Sequence, residues 1–284
     1  MKKRILGKLM LVLMAVAVLA GCGDLHGSKL TAKVIEVDLT NEEYAFAVNQ
    51  NDTELLSRTN EYIAQIMKDG TFDKICDRYF GGGTPQAVHS APEDSSRDQL
   101  RVATNAAFEP FEYMEGDTYL GIDMEIAAGL AEYLGKELVI CNTEFDAILV
   151  SVQMGSCDIA MSGLTVTDER KELVNFTDSY YKASQKLIVR SDNTEFDNVT
   201  DAASIEAILN KKTGSTKVGV QIGTTGKLYC EGDEDWGFAG YAMECRGYKN
   251  GSLAVQDMLN GNVDYVVIDA APAEFITESV NRMQ

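Results

Sequence analysis

The chain has 284 residues, of which 45% are hydrophobic and 24% charged, and this composition suits one large globular domain or two lobes of ordinary size. Its formal net charge of −19 argues against nucleic acid as a partner and against basic patches that would bind anionic lipid. The two histidines, His26 and His89, fall in segments that we predict to be a tether and a linker. A histidine-dependent nucleophile or metal centre is therefore not expected, and we predict no cofactor and no metal ion.

Residues 1–21 have the pattern of an export signal. Four basic residues among the first eight are followed by the apolar run Leu9–Ala20, which is too short to span a membrane comfortably, and by the processing site Leu19–Cys22. This site resembles the lipobox of bacterial lipoproteins, so we expect cleavage before Cys22 and lipidation of that cysteine. Residues 22–30 would be a short tether. The protein would then lie outside the cytoplasmic membrane, on the cell surface or in the periplasm, and touch the membrane only through its lipid anchor.

Five further cysteines, none of them in a CxxC pair, give no support to a zinc site or to thioredoxin-type chemistry. Cys230 and Cys245 flank a short loop rich in glycine and acidic residues. An oxidising compartment would permit a disulfide between them, and buried free thiols are the equally acceptable alternative.

The part that follows the tether is predicted to contain two short strands and two helices. The strands are Lys33–Val37 and Glu43–Val48, and the helices, with apolar residues at helical spacing, are Thr53–Asp69 and Thr71–Phe80. Residues 81–99 begin with three glycines, contain two prolines and show no period, so we predict a linker.

From Leu100 onward, predicted strands and helices alternate. The strands are Leu100–Thr104, Glu137–Cys141, Cys157–Met161, Lys186–Ser191, Lys217–Gln221, Tyr241–Arg246 and Val263–Asp269. The helices are Gly121–Gly135, Ala147–Met154, one starting after Thr167, Ala202–Leu209, one from Thr225, Ser252–Asn260 and one from Pro272. Two successive sets of parallel strands with crossover helices indicate two α/β lobes. Ligands bind such sheets at the carboxyl ends of the strands.

The stretch 162–181 contains the residue that we expect to be central to function. Thr167 is a predicted helix N-cap, and Asp168 and Glu169 in the first turn suit the positive end of the helix. Arg170 lies in the same turn, where the helix dipole disfavours a cation, so helix stability does not explain it. An arginine beside free backbone N–H groups can hold a carboxylate through two hydrogen bonds. The alternative is a surface arginine paired with a nearby glutamate.

The other candidate residues also follow predicted strands. They are Asn105, Phe108, Phe111, Phe145, Ser162, Gly163, Thr165, Gln221, the turn Gly223-Thr224-Thr225-Gly226 and Asp269. The backbone N–H groups of the glycine-containing turn can form an anion-binding nest, although a plain strand-to-helix turn has the same pattern. The phenylalanines are equally compatible with core packing, and Asp269 with a helix N-cap ahead of Pro272.

Several sequence segments of the chain resemble those of a known protein family. They are VATNAAFEPFEYMEGDTYLGIDMEIA, FDAILVSVQMGSCDIAMSGLTVTDERKE and VNFTDSYYKASQKLIV within residues 101–190, and VGVQIGTTGKLY and NGNVDYVVIDAAPAE within residues 217–274. Together they resemble family 3 of the bacterial solute-binding proteins, which deliver polar amino acids to ABC importers. The resemblance implies a periplasmic-binding-protein-like fold of type II, in which two α/β lobes are joined by two hinge crossings around a ligand cleft.

The resemblance also implies how the cleft would hold a free L-amino acid. Arg170 would bind the α-carboxylate, helped by the backbone N–H groups of Thr165 and Thr225. Asp269 would bind the α-ammonium group together with the carbonyl of Gly163 and the hydroxyl of Thr165.

The remaining residues would contact the ligand side chain. Phe108 and Phe145 would enclose it, Asn105 and Gln221 would face it, and Thr224 belongs to the possible anion-binding turn. Because Asn105 is neutral, a basic ligand is less expected than a polar, uncharged one such as glutamine, and apolar ligands stay open.

The order of the parts departs from the family. Residues 34–80 resemble its C-terminal end, yet here they precede the first lobe. We therefore predict a circular permutant in which the linker 81–99 joins the usual termini. The first lobe would comprise 41–80 plus 100–188 and the second 31–37 plus 190–284, with crossings near 38–40 and 189–191.

Two other functional classes compete with a transport protein. An enzyme in the same cleft, such as a periplasmic cyclohexadienyl dehydratase, would need a poised acid or base, and the one aspartate is already assigned to charge pairing. A receptor module usually brings a membrane span and a signalling domain, for which the sequence has no room. We predict a non-enzymatic monomer without catalytic residues, whose partners are the permease subunits of an ABC importer.

Overall fold

The computed structural model describes residues 29–234 and 237–283. Its strands are β1 (Ala32–Ile35), β2 (Glu42–Tyr44), β3 (Ala47–Asn49), β4 (Gln99–Thr104), β5 (Ala107–Phe108), β6 (Glu112–Glu115), β7 (Thr118–Leu120), β8 (Glu137–Asn142), β9 (Ile159–Ala160), β10 (Val174–Phe176), β11 (Tyr181–Ala183), β12 (Gln185–Arg190), β13 (Lys217–Gln221), β14 (Glu244–Tyr248) and β15 (Tyr265–Asp269). Its helices are α1 (Thr53–Lys68), α2 (Thr71–Phe80), α3 (Ile122–Leu134), α4 (Ile148–Gln153), α5 (Asp168–Lys171), α6 (Ala202–Leu209), α7 (Thr225–Glu231), α8 (Gly251–Leu259) and α9 (Ala270–Met283).

The predicted export signal, Cys22 and most of the predicted tether lie outside the described residues. Within the described residues, no helix has the length and apolar character needed to cross a membrane. The described cysteines are all free thiols; Cys230 is buried and Cys245 is half-buried.

The predicted helices and strands are present, with bounds shifted by up to three residues. The exception is the predicted strand Glu43–Val48, which is divided into β2 and β3. The three-stranded antiparallel sheet β5-β6-β7 was not predicted. Its strands have only two to four residues each, which is too short for a visible period of alternation.

Two five-stranded sheets carry the fold, with the orders β10-β3-β9-β4-β8 and β1-β12-β15-β13-β14. We call them the first and the second sheet. In each, three neighbouring strands are parallel, β9-β4-β8 and β15-β13-β14, and the fourth strand, β3 or β12, is antiparallel to both of its neighbours. The outer strands β10 and β1 therefore run in the same direction as the parallel three. The prediction of parallel sets was therefore wrong for β12, and the strand that came before those predicted sets, β3, is also reversed. The reason is that β3 and β12 enter directly from the other sheet without a crossover helix.

The two passages of the chain between the sheets run side by side. They form a two-stranded antiparallel ladder of β2 and β11, in which Tyr44 lies opposite Tyr181. The predicted first crossing, near 38–40, lies between β1 and β2. The second lies at 183–185 instead of 189–191, because all of β12 pairs within the second sheet. Its apolar residues Leu187–Val189 are fully buried there, which an exposed hinge would not allow.

The segment predicted as a linker lies against β7 of the three-stranded sheet and β8 of the first sheet. Val88 and Tyr119 exchange backbone hydrogen bonds of 2.9 and 3.3 Å, and the Ala91 N–H donates to the Leu138 carbonyl at 2.8 Å. Helices α1, α2 and α3 pack together beside it, and α8 and α9 cover the second sheet.

The two sheets have matching strand orders, β8-β4-β9-β3-β10 and β14-β13-β15-β12-β1. The outer position of the first sheet holds β10, which follows β9 in the chain. The matching position of the second sheet holds β1, which comes from the other end of the chain, and α9, which follows β15, ends beside it. The Asn281 side chain accepts from the Ala32 N–H at 2.8 Å and donates to the Ala32 carbonyl at 2.9 Å.

Candidate functional site

The residues that the sequence singled out come together where the carboxyl ends of the parallel strands of both sheets meet. Asn105 follows β4 and Gly163 follows β9 in the first sheet, whereas Gln221 ends β13 and Asp269 ends β15 in the second. Loops from both sheets therefore converge on one interface, which we call the cleft. Hydrogen bonds from Arg170 to Gly223 and from Gln221 to Asn105 join the loops of the first sheet to those of the second.

Arg170 lies at the centre of the cleft. Thr167 caps α5 as predicted, its hydroxyl accepting from the Arg170 N–H at 3.1 Å. The Arg170 guanidinium donates to the carbonyl of Thr165 at 2.6 Å and, across the cleft, to that of Gly223 at 2.9 Å. Its central carbon lies 5.6 Å from the centre of the Phe145 ring. With 8% of its surface exposed, Arg170 is not the surface arginine of the alternative interpretation.

Asp269 provides the opposite charge. It is 3% exposed, and its carboxylate accepts a hydrogen bond from the Tyr44 hydroxyl at 2.5 Å. Burial, together with the negative charge of Glu42, raises the pKa of Asp269 to about 7, although the bond from Tyr44 acts in the other direction. Burial lowers the pKa of Arg170, and the charges of Asp269 and Glu42 oppose that shift. The two predicted ligand-binding charges therefore share one buried environment.

A pair of amides spans the cleft. The Asn105 amide N–H donates to the Thr143 carbonyl at 2.6 Å, which directs the Asn105 amide oxygen toward Gln221. That oxygen accepts from the Gln221 side-chain N–H at 3.3 Å. The amide oxygen of Gln221 is left buried without a hydrogen-bond partner in the described residues. Thr224 supports the same strand end, because its hydroxyl donates to the Gln221 carbonyl at 2.8 Å.

Aromatic rings line two sides of the cleft. Gly163 has a φ of 49°, and a Cβ at this position would lie 2.9 Å from the Phe108 ring and 3.4 Å from Tyr44, so both rings pack directly on the turn. Phe108 also lies 6.3 Å from the fully buried Phe111 ring, and core packing explains Phe111. Phe145 is half-buried and lines a cavity of about 320 Å³ with Arg170, Gly223 and Thr224 among its other lining residues.

Two buried acids under the cleft were not predicted. Asp123 accepts from the Gly163 N–H at 2.9 Å and from the Tyr180 hydroxyl at 2.7 Å, and burial raises its pKa to about 7. Glu112 accepts from the Ser162 hydroxyl at 2.8 Å, and burial raises its pKa well above the usual range. Both acids thus support the turn after β9. No group of three or more potential metal ligands is present among the described residues.

The crossing strand β2 contributes two further residues that the sequence gave no reason to select. Glu42 and Tyr44 are both buried on the cleft side of β2, while Glu43 between them is exposed. Glu42 accepts hydroxyl hydrogen bonds from Thr165 and Thr225, each at 2.8 Å. The alternation of buried and exposed residues along β2 covers only three residues. So short a strand gives no pattern in the sequence from which a site residue could be identified.

A two-sheet α/β protein with opposite charges buried at the meeting strand ends has the architecture of the type II periplasmic binding proteins. The profile described as "Bacterial extracellular solute-binding proteins, family 3" matches residues 100–271. The chain belongs to this family.

Similar proteins of known type agree with that assignment. The arginine-binding extracellular protein ArtP of Bacillus subtilis is 30% identical over 191 residues, which cover 67% of this chain and 69% of ArtP. The crystal structure of the ancestral amino acid-binding protein AncCDT-1, a precursor of cyclohexadienyl dehydratase, is 30% identical with a TM-score of 0.54, covering 74% of this chain and 78% of that one. An ancestral arginine-binding protein bound to arginine is 31% identical with a TM-score of 0.55, covering 64% and 75%.

Proposed function

We propose that this protein captures a free L-amino acid in its cleft and delivers it, outside the cytoplasmic membrane, to an ABC importer. The observation that carries this proposal is the burial of Arg170 and Asp269 in one environment between the two sheets. A zwitterion supplies one charge to each, and answering both charges avoids the cost of an unpaired ion in a closed cleft. The relatives that bind arginine or other amino acids support the same class of ligand.

In this proposal the two sheets belong to two lobes that close on the ligand. The first lobe is built on the first sheet and the second on the second sheet, with the β2–β11 ladder as the hinge. The bonds from Arg170 to Gly223 and from Gln221 to Asn105 connect the lobes. Arg170 binds the α-carboxylate, Asp269 the α-ammonium group, and Phe108 and Phe145 enclose the side chain. The protein acts as a monomer, anchored by lipid at Cys22.

The amide pair supports a ligand with a polar side chain that donates hydrogen bonds. The Thr143 carbonyl fixes the orientation of the Asn105 amide, and Asn105 in turn fixes that of Gln221. Each amide keeps a second N–H, and the one atom of the pair that is buried without a hydrogen-bond partner in the described residues is the Gln221 carbonyl oxygen, which can only accept. Leaving such an acceptor unpaired costs about 1–3 kcal/mol, so a donor on the ligand is favoured. We propose an uncharged amide side chain, with arginine as the competing donor.

Calorimetric titration with all twenty amino acids tests the proposed function. Glutamine is expected to bind at least about tenfold more tightly than glutamate, since the two have the same shape but only glutamine has a donor to meet Gln221. If arginine bound more tightly than glutamine, the proposed ligand would be a cationic amino acid and not an uncharged one. Failure of every amino acid to bind would reject the proposed function.

We propose no catalytic role. The acid that an enzyme would need in this cleft, Asp269, is hydrogen-bonded to Tyr44 and faces Arg170, so its charge is used in binding. Incubation with prephenate or arogenate, followed by product analysis, is the corresponding control. Release of an aromatic product would favour a dehydratase.

We also propose that the chain is a circular permutant of the family's usual order. The support is topological: β1 fills the sheet position that a strand following α9 would take, and Asn281 at the end of α9 binds Ala32 at the start of β1. The family profile begins at β4, after the linker.

A reordered chain tests this proposal. A gene that places residues 29–80 after residue 283, and so starts near Gln99, is expected to give a folded protein with the ligand affinity of the original order. Circular dichroism and calorimetry provide the measurements. A reordered chain that is unfolded would contradict the proposed permutation.

A further inference from the structure

Glu42 is a buried carboxylate that the assignments above do not use. It is 3% exposed and lies at the start of β2, directly after the first crossing. One of its oxygens accepts from the Thr165 hydroxyl and from the Thr225 hydroxyl, each at 2.8 Å. The other accepts from the Thr40 hydroxyl at 2.6 Å. The carboxylate therefore receives one hydroxyl hydrogen bond from each sheet's side of the cleft and one from the segment that leads into β2.

These bonds fix the direction of the threonine hydroxyl protons. A hydroxyl has one proton, so Thr165 and Thr225, once they donate to Glu42, can only accept from other groups. Thr225 accepts from the Gln185 amide N–H at 3.1 Å. Thr165 keeps its lone pairs for a donor in the cleft, and the N–H groups of an ammonium ion are such donors. Without Glu42, the Thr165 proton could rotate toward the cleft and repel that ion.

Glu42 also adds negative charge at the same place. Its charge acts on both Asp269 and Arg170. Once Asp269 is ionised, above about pH 7, two carboxylates and one guanidinium leave an excess of negative charge in the buried cleft. A ligand ammonium group bound at Thr165 and Asp269 would lie two hydrogen bonds from the Glu42 carboxylate and would be stabilised by it.

We propose that Glu42 is a positioning residue of the ammonium subsite, which acts through the hydroxyls of Thr165 and Thr225 and through its own charge. This inference rests on the proposed function, since it needs an amino-acid ligand. Because the hydroxyls come from opposite sides of the cleft, the network is complete only when both sides reach Glu42. Closure of the lobes then assembles the subsite that recognises the ammonium group.

The test compares ligands with and without the ammonium group. The probes are L-glutamine with 4-carbamoylbutanoic acid, its analogue without the α-amino group, and L-arginine with 5-guanidinopentanoic acid. In Glu42→Gln the affinity for the amino acid is expected to fall about 10- to 100-fold, as for loss of a charged hydrogen-bond partner, while the affinity for the analogue changes less than about threefold. The matched control Glu43→Gln, at the exposed neighbouring position, is expected to leave both unchanged.

Two further readouts separate positioning from a structural defect. The groups that face Asp269 are Glu42 and Tyr44 from β2, Arg170 from α5 and Glu112 from β6. The charge of Glu42 raises the pKa of Asp269, so Glu42→Gln is expected to lower the pH below which binding weakens from its wild-type value near 7. Glu42→Asp keeps the charge and is expected to leave that pH near 7. In a double-mutant cycle, Thr165→Val and Glu42→Gln together are expected to cost clearly less than the product of their single effects.

The outcomes distinguish the two levels of the proposal. An amino acid that binds wild type and Glu42→Gln equally well overturns the role of Glu42 and leaves the proposed function intact. Equal losses for the amino acid and its analogue also overturn it, since they indicate a general defect. If Glu42→Gln does not fold, Thr225→Val takes its place, because it removes one of the two hydroxyls through which Glu42 acts, and an unchanged preference for the amino acid in that variant also overturns the role of Glu42. A wild type that binds none of the twenty amino acids overturns both proposals.

Discussion

Arg170→Ala is expected to lower the affinity for the bound amino acid by roughly a hundredfold to several thousandfold. The ligand carboxylate would lose its only buried cation in the described cleft, and removing one partner of a buried ion pair costs about 3–5 kcal/mol, with about 1.4 kcal/mol for each factor of ten. Calorimetry measures the loss, and circular dichroism shows whether the fold is kept. The fold should persist, because the guanidinium caps two carbonyls on loops and belongs to no strand ladder.

The neighbouring Lys171→Ala is the matched control for this variant. Lys171 is exposed and pairs with Asp168 at 2.8 Å, so its loss removes a positive charge from the same helix without changing the cleft. Its affinity should equal that of wild type. If Arg170→Ala also bound the amino acid with wild-type affinity, Arg170 would not be the carboxylate-binding residue.

The affinity for the amino acid is expected to rise with pH up to about 7 and then to level off. The free protein has an Asp269 carboxyl whose pKa is raised from 3.8 to about 7, so below pH 7 it carries a proton that the ligand ammonium group must displace. Affinity should fall about tenfold for each pH unit below that value, as for any single linked proton. Titrations between pH 5 and pH 8 measure the profile.

Asp269→Asn is expected to bind roughly a hundredfold less tightly at pH 8 and to lose this pH dependence, since an amide does not titrate. Asp117→Asn, on the exposed turn between β6 and β7, is the control. A full pH dependence in Asp269→Asn would assign the titration to Asp123, whose pKa is also about 7.

The buried Asp269 also lowers the free energy of unfolding as the pH rises from about 4 to about 7, because over that range only the unfolded chain ionises it.

Arg170 and the residues at strand ends could be selected from the sequence because their signals are local. A cation in the first turn of a helix is unfavourable for the helix, and polar residues just after a buried strand lie at the ligand-binding edge of a sheet. The same local reasoning found the Thr167 cap and the bounds of α6 and β13. The local reasoning failed at β12, where it placed residues up to 188 in the first lobe although the whole strand pairs within the second sheet. An apolar run looks the same in the sequence whether it ends one lobe or lies in the sheet of the next.

The sequence by itself determined the family and the α/β class and singled out the two charges that we propose bind a zwitterion, because motifs, strand ends and helix starts are encoded within a few residues. Only the tertiary structure decided what those charges meet. Glu42 binds Thr225 from 183 positions away, and Gln221 binds Asn105 from 116 positions away. Hydrogen-bond direction and burial depend on such distant partners, so the orientation of the amides, the raised pKa of Asp269 and the hydrogen bonds of Glu42 appear only when the chain is folded.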